Sequence, residues 1–422
     1  MNAAHLAGML LLQLAAIVVA CRLCGWAIKR VFGQPKVIGE IIAGVLLGPT
    51  VFGLLAPDAQ AWLFPQPSRD LLYLVAQFGI GLYMFVVGLD FHHEHFRAVA
   101  KSAAAVSLAG VAAPFLAAVA LAPWLLGAGG LFGSDLTAPQ AMVFLGACIA
   151  ITAFPVLARI VEERGLGHTP LGALALSAGA IGDVCAWTTL ALVLADLDAQ
   201  PGRAVIAIGG GVLFILCMLF IAPKLLAPLE RAAQRRGRAG VLVLGLCFGA
   251  FLLSAWAADR VGLHSVFGGF LLGAVMPRGL IANQLRRLLE PPAVIVLVPV
   301  FFCYSGLNTQ LGLVLDPALA VVTVAVLAAS ILTKFGACWA AARLTGQDNA
   351  TALAVGALMN TRGLMELIII NIGLQRGIIQ PPLFSILVLM TLVTTFMATP
   401  LLDWFGRRKA EPGPLSPHPQ SR

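Results

Sequence analysis

One acid in this sequence stands where acids are most costly. Asp183 lies in the middle of the apolar run Ser177-Ala178-Gly179-Ala180-Ile181-Gly182-Asp183-Val184-Cys185-Ala186-Trp187, and a carboxylate at the centre of a membrane span costs about 2.5–3.5 kcal/mol on insertion scales. That cost calls for a cavity and a partner. Intramembrane acids mark ion or proton paths by default, the plainer alternative being an ion pair that locks two helices. Nearly all of the 19 acids fall in loops or at helix ends; Asp183 and Glu366 do not.

Two other stretches carry polar groups at membrane depth. In Ile151-Thr152-Ala153-Phe154-Pro155-Val156-Leu157-Ala158-Arg159 the proline removes a backbone hydrogen bond and disfavours helical geometry at Phe154. A simple kink is the bland reading. The sharper one is a break over Thr152 to Pro155 whose freed carbonyls and Thr152 hydroxyl face the Asp183 cavity, because bare carbonyls at that depth survive only beside protein or water. Late in the chain, Met359-Asn360-Thr361-Arg362-Gly363-Leu364-Met365-Glu366-Leu367 sets two charges four residues apart, one face of a continuous helix, so Arg362 and Glu366 are expected to neutralise each other. Lys334, between Val326 to Leu332 and Phe335 to Ala342, is too deep for easy snorkelling. It is assigned to the Asp183 cavity.

Other chemistry is poorly represented. His92, His93, Glu94 and His95 are ligand types for a metal, but a solvated interfacial turn explains them, so no metal beyond a transported cation is expected. The eight cysteines fall singly in apolar segments, apart from Cys21 and Cys24 in one span, and support neither a disulfide framework nor a zinc site. There is no glycine-rich phosphate loop with its lysine, no HExxH and no GxSxG. The expectation is no enzyme and no cofactor.

The elements that must position these residues follow from composition. Residues AVILMFWYC make up 60% of the chain, charged residues 11%, and mean hydropathy is +0.94, against about 25% charged in soluble domains. This is an all-α polytopic membrane protein in a lipid bilayer. About 20 apolar residues cross a bilayer, and about thirteen stretches qualify, near 6–28, 38–55, 71–89, 98–122, 138–158, 171–195, 204–223, 239–258, 262–277, 291–307, 317–342, 349–374 and 381–404. Twenty of the 27 Lys and Arg fall in loops after odd-numbered stretches or in the tail, and four in the other loops. By the positive-inside rule the N-terminus lies outside and the C-terminus in the cytoplasm. The +8 net charge therefore reads as orientation, with no nucleic-acid partner.

A basic loop near Glu230 to Arg238 divides the membrane domain of residues 1–406. Repeat one covers about 6–195, a connector helix about 204–223, and repeat two about 239–404. Gly44-Val45-Leu46-Leu47-Gly48 matches Gly269-Phe270-Leu271-Leu272-Gly273, and Gly88-Leu89 matches Gly306-Leu307, at a constant seven-helix offset. The odd connector inverts the second half. Two inverted six-helix repeats with interrupted helices at matching positions are the mark of a secondary transporter. The tail 407–422 reads as short, proline-rich and disordered.

The stretch Gln34-Pro35-Lys36-Val37-Ile38-Gly39-Glu40-Ile41-Ile42-Ala43-Gly44 through Thr50, the segment from Ile151 to Arg159, Gly182-Asp183, the run from His264 to Arg278 and Asn360 to Leu367 together resemble the monovalent cation:proton antiporter-2 family, nearest its plant and fungal cation/proton exchanger branch. The resemblance runs from Gln34 to about Leu402. It implies a sodium/proton antiporter-like fold, a panel that forms a homodimer, and a core in which two broken helices cross at Thr152, Ala153, Phe154 and Pro155 and at Asn360, Thr361, Arg362 and Gly363. It implies exchange of Na⁺ or K⁺ for H⁺ across a cell membrane, that of a bacterial inner membrane, with Asp183 as the essential carboxylate and Lys334 as the family's lysine. Many members carry Asp or Asn just before that aspartate; here Gly182 takes the place. The alternative in another class is a channel-like or sensory protein of the same fold without coupled exchange.

Overall fold

A computed structural model describes residues 3–90, 96–167, 169–197, 201–261, 263–310, 312 and 316–407. The histidine cluster at 92–95 and the tail after Arg407 lie outside the described residues. All named elements are helical, as a lipid environment requires, since a helix satisfies its own backbone groups. They are α1 (Ala3–Phe32), α2 (Lys36–Leu47), α3 (Phe52–Leu55), α4 (Pro57–Leu63), α5 (Gln66–Leu89), α6 (Phe96–Gly127), α7 (Ala138–Ala150), α8 (Phe154–Glu163), α9 (Pro170–Leu197), α10 (Pro201–Phe220), α11 (Ala222–Arg236), α12 (Val241–Arg260), α13 (Ser265–Val275), α14 (Leu280–Pro292), α15 (Val298–Leu307), α16 (Pro317–Leu344), α17 (Asn349–Met359), α18 (Leu364–Gln375) and α19 (Pro381–Arg407).

Among the described residues nine helical spans are long and apolar enough to cross a membrane, and five further apolar helices are shorter. The thirteen stretches read from composition therefore include several that do not run as one full-length helix. The fifth is α7 and α8; the twelfth is α17 and α18. The tenth is longer than its apolar part, because α14 continues through a π-helical turn at Ala293–Leu297 into α15. The basic segment from Glu230 is not a loop either. It lies largely in α11, whose Leu226 and Ala233 are buried while Leu225 is exposed. Buried Glu230 accepts hydrogen bonds from the Leu280 and Ile281 amides at 2.8 and 3.1 Å, satisfying two spare donors at the start of α14.

The helices sort by contact into two groups. One joins α1, α2, α5, α12, α13, α14 and α15; the other joins α6, α7, α8, α9, α16, α17, α18 and α19, and α10 touches α9 and α13. In the first group the glycines matched by sequence meet reciprocally. A Cβ on Gly44 of α2 would lie 2.5 Å from the Phe302 carbonyl, and one on Gly306 of α15 would lie 2.0 Å from the Gly44 carbonyl carbon. A Cβ on Gly88 of α5 would lie 2.3 Å from the Phe270 carbonyl, and one on Gly273 of α13 would lie 2.2 Å from that of Phe85. Each glycine-rich helix of one half thus lies directly on the Gly-Leu helix of the other, and only a residue without Cβ permits that approach.

Candidate ion-exchange site

The second group contains two interrupted helices. Each leading half starts with a side-chain cap: Thr137 and Gln140 form a capping box before α7, and Asp348 accepts from the Thr351 amide at 2.9 Å before α17. Each then stops within the apolar interior. α7 ends at Ala150 and the chain is extended at Ile151 before α8 begins at Phe154. Pro155 falls at the second position of α8, where a helix has an N–H to spare. α17 ends at Met359, and α18 resumes after Gly363, whose φ of +155° suits glycine and whose Cβ would meet Val156 of α8 at 3.0 Å.

The two gaps cross and bind each other. The Ala153 amide donates to the Thr361 carbonyl at 3.0 Å, and the Thr152 hydroxyl donates to the Met359 carbonyl at 2.8 Å. Thr395 of α19 closes the second gap from behind: its hydroxyl donates to the Arg362 carbonyl at 2.6 Å and accepts from the Arg362 amide at 3.0 Å. These contacts satisfy backbone groups that would otherwise be stranded in a low-dielectric interior.

Two buried cations gather at the open carbonyl end of α7. The Arg362 guanidinium donates to the Cys148 carbonyl at 2.8 Å and to that of Ile149. Lys334 on α16, 1% exposed, donates to the Ala150 carbonyl and to the Gly110 carbonyl of α6 at 3.2 Å. A helix C-terminus carries about half a negative charge, so both cations oppose it. Arg362 also reaches Glu366 at 3.5 Å, with both side chains fully buried. They do not share one helical face, as four-residue spacing suggests. Arg362 lies in the gap and Glu366 in the first turn of α18, where a carboxylate complements the opposite helix end.

The structure thus brings Thr152, Ala153, Asn360, Thr361, Arg362, Gly363, Glu366 and Lys334 into one region. The side chains of Asp183 and Pro155 lie outside the described set. The helix carrying Asp183, α9, packs against α6, α7, α8 and α17, and its Gly182 is buried. Two contributors were not singled out from sequence. Pro114, inside α6, has no N–H to give the carbonyl four residues back, which is the Gly110 oxygen that Lys334 takes. Thr395 is the other, signalled only by the polar run Thr391, Thr394 and Thr395 in an apolar helix. Both amide atoms of Asn360 are buried without a hydrogen-bond partner among the described residues, as are Arg362 Nε and Glu366 Oε2.

Residues 17–407 match the family described as "Sodium/hydrogen exchanger, transmembrane". The chain belongs to this family. Among sodium/hydrogen exchangers and related antiporters, it is 37% identical over 398 residues to the Na(+)/H(+) antiporter NhaS4 of Synechocystis sp., covering 93% of this chain and 97% of that one. It is 32% identical over 411 residues to K(+)/H(+) antiporter 1 of Saccharomyces cerevisiae, covering 93% of this chain and 46% of the relative. It thus spans about half the length of the yeast protein. The sodium proton antiporter MjNhaP1 from Methanocaldococcus jannaschii superimposes with a TM-score of 0.66 over 96% of this chain and 99% of that one, at 14% identity. That likeness supports the sodium/proton antiporter-like fold expected from the sequence. The chain is a multi-pass membrane protein of the cation/proton antiporter class.

Proposed function

We propose that this chain is a secondary antiporter exchanging Na⁺ or K⁺ for H⁺ by alternating access, with Asp183 binding cation and proton in turn. The observation that carries the reading is the pair of crossed helix gaps with two buried cations at the carbonyl end of α7. Two continuous helices would need neither the breaks nor the buried cations that compensate them, each of which costs several kcal/mol before compensation. One carboxylate that holds either a cation or a proton couples the two fluxes without ATP, and no covalent chemistry or cofactor is required.

In this mechanism Arg362 and Lys334 are fixed compensating charges, Glu366 balances Arg362, and Thr152 keeps hydroxyl lone pairs for the cation while its proton holds the Met359 carbonyl. Lys334 faces the Asp183 carboxylate when no cation is bound, so one proton exchanges for one cation and no net charge moves. The reciprocal glycine packing of α2 on α15 and α5 on α13 supports two inverted repeats. The protein sits as a homodimer in a bacterial inner membrane, N-terminus outside and C-terminus in the cytoplasm. Reconstituted into vesicles with an imposed pH gradient, the chain should release that gradient on addition of Na⁺ or K⁺, and Asp183→Asn should abolish the response. Undiminished exchange by Asp183→Asn would remove that residue from the mechanism; cation flux without proton movement would establish a channel instead.

A further inference from the structure

The α6 helix carries a second polar group toward α9 that the exchange reading does not use. Ser107 is 1% exposed, and its hydroxyl has no hydrogen-bond partner among the described residues. It lies one turn from Gly110, whose carbonyl holds Lys334, and three-residue spacing places the two on one helical face. Across from it stands Gly182: a Cβ built there would lie 3.5 Å from the Ser107 oxygen, in ordinary contact and with no closer obstruction. The residue that follows Gly182 is Asp183.

A serine or threonine inside a helix can return its proton to a carbonyl three or four residues back. Thr323, Thr333, Thr391 and Thr394 do so here, whereas buried Ser107, Ser330 and Thr399 have no partner among the described residues, and of these three it is Ser107 whose oxygen lies against Gly182. Its hydroxyl is thus buried with no partner among the described residues, against Gly182, which precedes the proposed carboxylate. Hydroxyl oxygen is a hard neutral donor suited to alkali-metal cations. At position 182, glycine adds no side chain that would compete for the space in front of it.

We propose that Ser107 supplies an oxygen ligand to the transported alkali-metal cation and sets the preference among such cations. This rests on Asp183 being the exchange carboxylate. The ligand is neutral, so its loss weakens cation binding without adding or removing a titrating group. Because hydroxyl position fixes one edge of the coordination shell, the loss falls unequally on ions of different radius.

The test uses the full chain in vesicles, with a fixed pH gradient and dye readout, titrating Li⁺, Na⁺, K⁺ and Rb⁺ separately. Ser107→Ala should raise the half-saturating concentration of the preferred cation at least threefold and change the Na⁺-to-K⁺ ratio of these concentrations at least twofold. Ser107→Thr, which keeps the hydroxyl, should stay within twofold of the parent for that cation. Equal shifts for all four cations, or the same shift in the alanine and threonine variants, would overturn the assignment. If Ser107→Ala is poorly recovered, Ser107→Cys, of similar size but with a soft donor, must show the same altered ratio. Asp183→Asn is run in parallel. Loss of exchange in that variant with unchanged ratios in the Ser107 variants refutes the serine ligand alone, whereas retained exchange refutes the underlying site.

Discussion

Replacing Arg362 by methionine removes a guanidinium that touches the Cys148 and Ile149 carbonyls and lies 3.5 Å from Glu366. The carbonyl contacts are the shorter ones, which ranks the roles of this side chain. Leaving two buried acceptors unpaired costs about 1–3 kcal/mol each, and stranding a buried partner charge about 3–5 kcal/mol; loss of the guanidinium's own desolvation offsets part of this. The expected net loss for Arg362→Met is about 3–5 kcal/mol. Glu366→Gln keeps an oxygen toward the arginine and both carbonyl contacts. It gives up a long ion contact and a helix-end interaction of about 0.3–1 kcal/mol, so a loss of about 1–2 kcal/mol is expected. Reversible unfolding in mixed dodecylmaltoside and SDS micelles, run on both single variants and the double, gives the coupling energy. A coupling near 1 kcal/mol, with arginine much the costlier loss, fits a residue that chiefly caps α7. Equal losses from the two single variants, with coupling accounting for nearly all of either, would refute that ranking and make the ion pair the main role.

Pro114→Ala returns an amide to compete with Lys334 for the Gly110 carbonyl. It should raise thermal stability, because a proline inside a helix costs about 3 kcal/mol, while slowing exchange at least threefold in the vesicle assay. Gly306→Ala or Gly273→Ala, each forcing a Cβ to within 2.0 or 2.2 Å of facing backbone, should lower the yield of folded protein by detergent gel filtration far more than Gly312→Ala, whose Cβ would meet nothing within 4 Å. Glu230→Gln weakens the cap on α14 by about 1 kcal/mol and should lower thermal stability modestly with exchange retained. Clamping the vesicle potential with valinomycin and K⁺ should leave the rate of Na⁺-driven proton flux unchanged; a rate that follows the imposed potential would overturn electroneutral exchange.

The parts of this architecture that were legible in the sequence are those in which a local rule and the membrane demand agree. Pro155 points to a break in this stretch, and one exists, but it lies earlier than expected, over Ile151 to Ala153, while Phe154 and Pro155 open α8, where a proline without an N–H is tolerated. Lys334 sits too far from either membrane face for its charge to escape, and it is found buried. Gly44 to Gly48 and Gly269 to Gly273 share spacing, and each takes a helix backbone of the opposite half at close range. Where the partner lies far along the chain, the pattern points less well. Four-residue spacing implies one helical face for Arg362 and Glu366, yet the helix begins only at Leu364, leaving Arg362 in the gap, where its guanidinium meets the freed carbonyls of α7, more than 200 residues earlier. Likewise nothing local to Pro114 says that the carbonyl it releases will be claimed by Lys334, 224 residues from Gly110. A break in one helix is affordable here only because a cation or hydroxyl on another helix satisfies it. Sequence shows each break by itself, whereas its compensation is a property of the crossing. The crossing thus binds the stability of the core to the same carbonyls that surround the proposed ion path, so a substitution that relieves one side, as Pro114→Ala should, is expected to exact its cost on the other.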